Sequence, residues 1–205
     1  MTDAPASDVT AVILAGGRAT RMGGEDKGLI PLAGRPMIEH VLAAIRPQVG
    51  EVLINANRSW SAYEAYGHPV VADDVTDFPG PLAGMAAGLA TCATPLALFL
   101  PCDGPLVPRD LVGRLYGALT ANGAQGAVAH DGERLQPVHA LLQRELLGSL
   151  RAFLADGGRK VAQWYETFDT TEVDFSDHRE LFMNVNTPDE RDALAARLAA
   201  ERHGP

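Results

Sequence analysis

Short apolar runs alternate with helically spaced ones along the first 120 residues. Val9 to Leu14 is a β-branched apolar run without helical spacing, which predicts a strand buried on both faces. Val52-Leu53-Ile54, Val70-Val71-Ala72 and Leu96 to Leu100 read the same way. Between them, Met37, Ile38, Val41, Leu42 and Ile45 recur at helical spacing. Gly34-Arg35-Pro36 precedes that helix as a turn with Pro at the helix start, and Pro47 and Gly50 close it. Further helices are expected around Ser61 to Tyr66, over Ala83 to Thr91 and over Pro108 to Leu119. Strands alternating with helices of about ten residues call for a mostly parallel sheet with right-handed crossovers.

The second half is less regular. Ala127 to His130 and Val138 to Leu142 flank Asp131-Gly132-Glu133-Arg134, which predicts a hairpin whose loop could fold over a ligand. A helix follows from Glu145 to Leu154, then a helical turn over Lys160 to Tyr165 with Trp164 and Tyr165 as core residues. Thr170 to Asp174 reads as an edge strand, and Phe182 to Asn186 as a last strand carrying Asn184 and Asn186 on one face. Thr187-Pro188-Asp189-Glu190 opens the final helix as a capping box with Pro at its first position.

At 205 residues the default is one domain over residues 1–205, large enough to bury its core without metal or disulfides. Within it, 1–8 read as a polar tail with no signal-like apolar region, 9–120 as the regular alternating half and 121–205 as the less regular one. The net charge of -9 and pI near 5.0 exclude nonspecific nucleic-acid binding, which needs a basic field. No apolar run approaches the ~20 residues of a membrane span. Cys92 and Cys102 have neither disulfide-framework numbers nor metal-ligand spacing, which fits a reducing cytoplasm.

The candidate chemistry begins where the first strand stops. Gly16, Gly17, Gly23, Gly24 and Gly28 fall within thirteen residues, interleaved with Arg18, Arg21 and Lys27. Backbone N–H groups can approach phosphate oxygens there while the cations neutralise them. The spacing is neither a Walker loop nor a dinucleotide fingerprint. Three more strands end in polar groups: Asn55 with Asn57, Asp73 with Asp74, and Asp103. Ligands of parallel sheets sit beyond such carboxyl ends. Asp73 and Asp103, at what read as neighbouring strand ends, suggest Mg2+ held by carboxylate oxygen and by a nucleotide's own phosphates. That apparatus suits either hydrolysis or nucleotidyl transfer with pyrophosphate leaving. No nucleophilic triad stands out, and a phosphomonoester acceptor, ionised at pH 7, needs no general base.

Leu14-Ala15-Gly16-Gly17, Arg21-Met22-Gly23-Gly24, Asp26-Lys27, Asn55-Ala56-Asn57-Arg58, Gly80-Pro81-Leu82-Ala83-Gly84, Pro101-Cys102-Asp103, Asp174-Phe175-Ser176-Asp177-His178 and Asn184-Val185-Asn186-Thr187-Pro188 together resemble the molybdenum cofactor guanylyltransferases, the MobA family. The resemblance spans nearly the whole chain and implies a nucleotide-binding half over 9–120 and an acceptor-binding half over 121–205. It implies an α/β fold, a Rossmann-like three-layer α/β/α domain with a mostly parallel central sheet and a small antiparallel edge element. It implies transfer of GMP from MgGTP to the terminal phosphate of molybdopterin (Mo-molybdopterin), giving the guanine dinucleotide and pyrophosphate. Leu14, Ala15 and Gly16 would line the guanosine site, with Asn55 and Asp73 beside the nucleotide. Lys27 and Arg21 would offset charge on the phosphates, and Asp103 would bind Mg2+. Asn184 and Asn186, with residues near Arg134 and Pro137, would face the pterin. Other cofactor-biosynthesis proteins and acceptor molybdoenzymes are the implied macromolecular partners. The chain departs from the family pattern at Gly104, where a larger residue is common, and at Gln136-Pro137-Val138, where His-Pro-Thr is expected; both bear on acceptor fit.

Two rival readings stay open on sequence alone. One is the same chemistry with CTP or a sugar-phosphate acceptor, since backbone recognition of a base leaves little trace in sequence. The other is a GTP-binding accessory or cofactor carrier without turnover, against which Asp103 argues as a metal carboxylate that retention of GTP does not require.

Overall fold

The computed structural model describes residues 6–16, 26–73 and 80–202. A 3₁₀ turn over Ala6–Asp8 leads into β1 (Val9–Leu14). The expected polar tail is thereby shortened, and its first five residues lie outside the described residues. Beyond the glycine-rich segment, β2 (Pro31–Leu32) and β3 (Arg35–Pro36) pair as an antiparallel hairpin. Its two turn residues, Ala33 and Gly34, both have positive φ (50° and 84°), as a type I′ turn demands. Strands of two residues leave no period to read, so the apolar pattern gives only a turn here. Then come α1 (Met37–Ile45), β4 (Glu51–Asn55), α2 (Trp60–Glu64), β5 (Val70–Val71), α3 (Pro81–Thr91), β6 (Leu96–Pro101) and α4 (Leu111–Asn122). The second half supplies β7 (Gly126–His130), β8 (Leu135–Gln143), α5 (Leu147–Ala155), α6 (Val161–Tyr165), β9 (Thr170–Asp174) and α7 (Pro188–Arg202).

The central sheet has the order β5-β4-β1-β6-β8-β7-β9. Each neighbouring pair from β5 to β6 is parallel, and so is β7 with β9. β8 runs antiparallel to both β6 and β7. The sheet is mostly parallel as expected, and the β2–β3 hairpin is the small antiparallel element. The one antiparallel strand of the main sheet lies inside it, because the tight turn after β7 folds β8 back into the space beside β6.

Side chains of β1 alternate between the two faces of the sheet. Val9, Ala11 and Ile13 pack with α1, with Tyr63 of α2 and with α4; Val12 packs with α3, α5 and α6. These are the three layers. α7 buries Leu194 against Leu32, Met37 and Val185, so the end of the chain closes over the hairpin that follows Lys27. Trp164 and Tyr165 are core residues as expected, with their polar ends satisfied by Ser149 Oγ (3.2 Å) and the Pro137 carbonyl (2.6 Å).

Three expectations are corrected. Phe182 to Asn186 is not a strand. Ser176–Phe182 is a 3₁₀ segment, and the chain after it crosses the strand ends, where Val185 N donates to the Asp103 carbonyl (2.8 Å) instead of to a neighbouring strand. The fourth helix begins at Leu111, three residues after Pro108, because residues 105–110 form the loop that carries the chain off the sheet. The helix expected from Glu145 starts with a 3₁₀ turn over Arg144–Leu146.

Candidate functional site

The registers align the last residues of four adjacent strands. Val71 pairs with Asn55, Asn55 with Leu14, and Leu14 with Pro101. The segment after each strand therefore emerges along one edge, and the chain order reverses between β1 and β6. Such a switch point leaves a crevice for a ligand.

Two side-chain clusters occupy this edge. In the first, Asp73 accepts a hydrogen bond on each carboxylate oxygen, from Asn55 Nδ2 and Asn57 Nδ2, both at 2.8 Å. Asp73 N donates to Asn57 Oδ1 (2.9 Å), and Ala15 N donates to the Asn55 carbonyl (2.7 Å). Asn55 is buried under α3, with the Cα of Gly84 against its side chain. Leu14, Ala15, Gly16, Asn55 and Asp73 are thus brought together.

In the second cluster, Lys27 Nζ donates to Asp103 Oδ2 (2.9 Å) and to Asn186 Oδ1 (2.7 Å). The Lys27 and Asp103 side chains are 20% and 15% exposed, which shields their attraction from most solvent screening. Asn186 reaches this position through the cap of α7. Glu190 N donates to Thr187 Oγ1 (3.2 Å), while Glu190 Oε2 accepts from Thr187 N (3.0 Å) and Asn186 N (2.7 Å). This is the expected capping box with one additional bond, and those backbone donors hold the Glu190 carboxyl below its usual range. Asn184 borders the same region: a Cβ at Gly104 would stand 3.2 Å from its Oδ1. Arg21, like Gly17, Arg18, Gly23, Gly24 and Asp74, lies outside the described residues.

Asp73 and Asp103 are not neighbours. β4 and β1 stand between β5 and β6, so three strand spacings, roughly 14 Å, separate the two strand ends. Both oxygens of Asp73 are moreover taken by amides. The expectation that the pair shares a cation fails, and Asp103 alone remains as a candidate ligand. Among the described residues no group of three or more His, Cys, Asp or Glu could hold a metal. One carboxylate beside a lysine fits a hard divalent cation that arrives with a triphosphate and keeps phosphate oxygens as its other ligands.

Sequence reading missed a third group. Asp26 is buried, accepts a short hydrogen bond from the Tyr63 hydroxyl and lies 3.5 Å from Arg58 Nε. A carboxylate inside a glycine-rich, charged stretch reads as solvated, and nothing in the spacing of α2 singles out Tyr63. His139 on β8 is also buried, edge-on to Phe182 at 5.0 Å, and burial pushes its pKa down to about 4. Further along, a cleft of about 410 Å3 opens between the β7–β8 turn and the 3₁₀ segment, lined by Asp131, Arg134, Arg179, Phe182 and the half-exposed Met183.

A mostly parallel α/β sheet whose switch point brings the end of β1, Lys27 and the Asp103 carboxylate together defines a nucleotide-handling α/β protein. Comparison with known proteins narrows the class. The family model described as the MobA-like NTP transferase domain matches residues 11–170. A molybdenum cofactor guanylyltransferase from Shewanella halifaxensis is 48% identical over 197 residues, covering 96% of this chain and 98% of the relative. One of the same name from Cupriavidus taiwanensis is 51% identical over 195 residues, covering 93% and 98%. Among solved structures, the molybdopterin-guanine dinucleotide biosynthesis protein A of Archaeoglobus fulgidus superposes with a TM-score of 0.76 at 20% identity, over 93% of this chain and 98% of that one, a likeness of fold. The chain belongs to the MobA-like NTP transferase family and is a nucleotidyltransferase. No helix among the described residues is long and apolar enough to cross a membrane.

Proposed function

We propose that the protein transfers GMP from MgGTP to the terminal phosphate of molybdopterin, releasing pyrophosphate and forming the guanine dinucleotide of the molybdenum cofactor. The observation that carries this reading is the meeting of Lys27, Asp103 and Asn186 within hydrogen-bond distance at the switch point. Lys27 comes from the nucleotide-binding half (9–120) and Asn186 from the acceptor-binding half (121–205), so the contact brings donor and acceptor ends to one place.

In this reading an oxygen of the acceptor phosphate forms a bond to the α-phosphorus, and the α–β anhydride bond breaks with its electron pair leaving on pyrophosphate. The acceptor oxygen is already ionised and asks for no base. Lys27, joined by Arg21, offsets the charge that grows on the leaving phosphates. Asp103 holds Mg2+, which when bound supplies Lewis-acid polarisation of the phosphate oxygens. Leu14, Ala15 and Gly16 line the guanosine, and the Asn55–Asp73 pair stands beside it. Asn184 and Asn186 face the pterin, with Arg134 at the mouth of the neighbouring cleft. The compartment is the cytoplasm, consistent with Cys92 and Cys102 being free and buried. Acceptor molybdoenzymes and the other proteins of cofactor assembly are the partners that receive or deliver the pterin.

The experiment incubates purified protein with molybdopterin and either MgGTP or MgCTP, measures pyrophosphate and identifies the dinucleotide. Guanine dinucleotide with pyrophosphate from MgGTP alone is the expected result. The cytosine product would overturn the base assignment, and GTP retained without pyrophosphate would make the protein a carrier.

A further inference from the structure

Lys27 sits in a 3₁₀ turn, Lys27–Leu29, whose backbone is fixed from behind. Leu29 N donates to the Asp26 carbonyl (2.9 Å) and Ile30 N to that of Lys27 (3.2 Å). The turn is wedged between two buried side chains. A Cβ at Gly28 would stand 2.6 Å from the Tyr63 hydroxyl and 3.3 Å from Cys102 Cβ, and Cys102 directly precedes Asp103. Tyr63 is fully buried and its hydroxyl donates to Asp26 Oδ1. The other Asp26 oxygen faces Arg58 Nε at 3.5 Å.

We propose that the Tyr63 hydroxyl is a positioning group for Lys27: by holding the Asp26 carboxylate it sets where the neighbouring ammonium stands relative to Asp103 and Asn186. The inference rests on the reading of Lys27 as the phosphate-facing cation. Its physical basis is that a buried carboxylate deprived of a donor must find another partner or move, and Asp26 cannot move without dragging the peptide of Lys27. Burial also pushes the Tyr63 hydroxyl far above its ordinary range, so it stays a neutral donor at every working pH. Tyr63 touches no reacting group, and its contribution is geometric.

The chain offers an internal probe, because its only two lysines are Lys27 and the exposed Lys160. An amine-reactive ester followed by mass spectrometry reads both at once. Tyr63→Phe, which removes only the oxygen, is expected to raise the labelling rate of Lys27 severalfold with Lys160 unchanged. Its kcat for pyrophosphate release is expected to fall about tenfold or more while KM for MgGTP stays within about threefold. Asp26→Ala should match it, the double variant should be no worse than either, and Asp26→Asn, whose amide oxygen still accepts from Tyr63, should recover most of the loss. Binding stoichiometry for a fluorescent GTP analogue measures the folded fraction of each variant. Wild-type labelling of Lys27, an unchanged kcat or a loss that merely tracks the folded fraction overturns the proposal. A wild-type protein that makes no pyrophosphate, with Lys27 still unlocked by Tyr63→Phe, would instead sink the transfer reading.

Discussion

Replacing Gly84 by alanine separates packing from function at the nucleotide edge. On helix propensity alone the change helps, by about 1 kcal/mol for an interior glycine. The surroundings reverse that sign. A Cβ at Gly84 would fall well inside van der Waals contact of Asn55 Oδ1, with Asn55 Cγ at 2.9 Å and Leu14 Cδ2 at 3.0 Å. Asn55 is 2% exposed and has no free volume to turn into, so it gives up its 2.8 Å bond to Asp73. A hydrogen bond to a charged partner contributes about 1.5–3 kcal/mol, and crowding of a packed site about 1–3 kcal/mol. After the propensity gain, the net loss is about 1.5–5 kcal/mol of stability. Because the displaced amide lies beside the proposed guanosine site, MgGTP affinity should fall about tenfold or more. Gly88→Ala is the control on the same helix face. Its Cβ would meet Val12 Cγ1 at 2.8 Å and Phe99 Cε1 at 3.0 Å, so it should cost stability while leaving affinity within about twofold. Urea melts and titration with a fluorescent GTP analogue measure the two quantities. Equal affinity losses in both variants, or none in Gly84→Ala, would refute the assignment of Asn55 to the nucleotide.

Asp103→Ala should lower turnover about a hundredfold or more while MgGTP binding weakens less, and Lys27→Ala should behave similarly; steady-state kinetics beside a binding titration checks both, and equal losses in rate and binding would favour a carrier. Gly117→Ala on α4, whose Cβ would meet nothing within 4 Å, should stabilise the protein by about 0.5–1 kcal/mol in urea melts. His139 has a folded pKa of about 4 against an ordinary 6.5. The unfolded chain therefore takes up its proton first, and stability falls as pH drops from about 6.5 towards 4, by up to about 3 kcal/mol. His139→Phe should flatten that limb of the unfolding free energy, and a slope identical to wild type would contradict it. Thr187→Ala removes the acceptor for Glu190 N and should cost about 1 kcal/mol.

The sequence makes legible whatever depends on local pattern. Val9–Leu14 and Leu96–Pro101 are buried on both faces because continuous apolar runs admit no solvent face, and the final helix starts where its capping box says. Lys27 and Asp103 could be assigned to one site because both follow strands and parallel strands share a carboxyl edge. What stayed hidden depends on strand order. Adjacency in sequence put Asp73 beside Asp103, but the chain crosses from β5 over β4 and β1 before laying down β6. Asp26 drew no reading of its own because its burial comes from Tyr63, a residue 37 positions away whose helix gives no sign of it. The segment at Phe182–Asn186 has strand-like composition, yet it crosses the strand ends instead of running along an edge, and its bonds go to a loop and a helix cap.

The arrangement also explains how a chain of net charge -9 can hold a polyanion. A bare carboxylate at the end of β5 would repel phosphates across the crevice. Asp73 instead receives an amide N–H on each oxygen and a backbone-anchored partner in Asn57, which spreads its charge into dipoles and fixes it away from the switch point. At the other end Lys27 and Asp103 cancel each other, so that pair presents little net charge. In the proposed reading, a triphosphate would gain little from such a pair unless a cation held by Asp103 left the ammonium facing phosphate. Binding of nucleotide without a divalent cation should then be weak at every ionic strength, and Mg2+ should raise the affinity. Titrating the fluorescent GTP analogue with and without Mg2+ across ionic strengths measures this, and equal affinity in both series would mean that Lys27 is not released by charge exchange at Asp103.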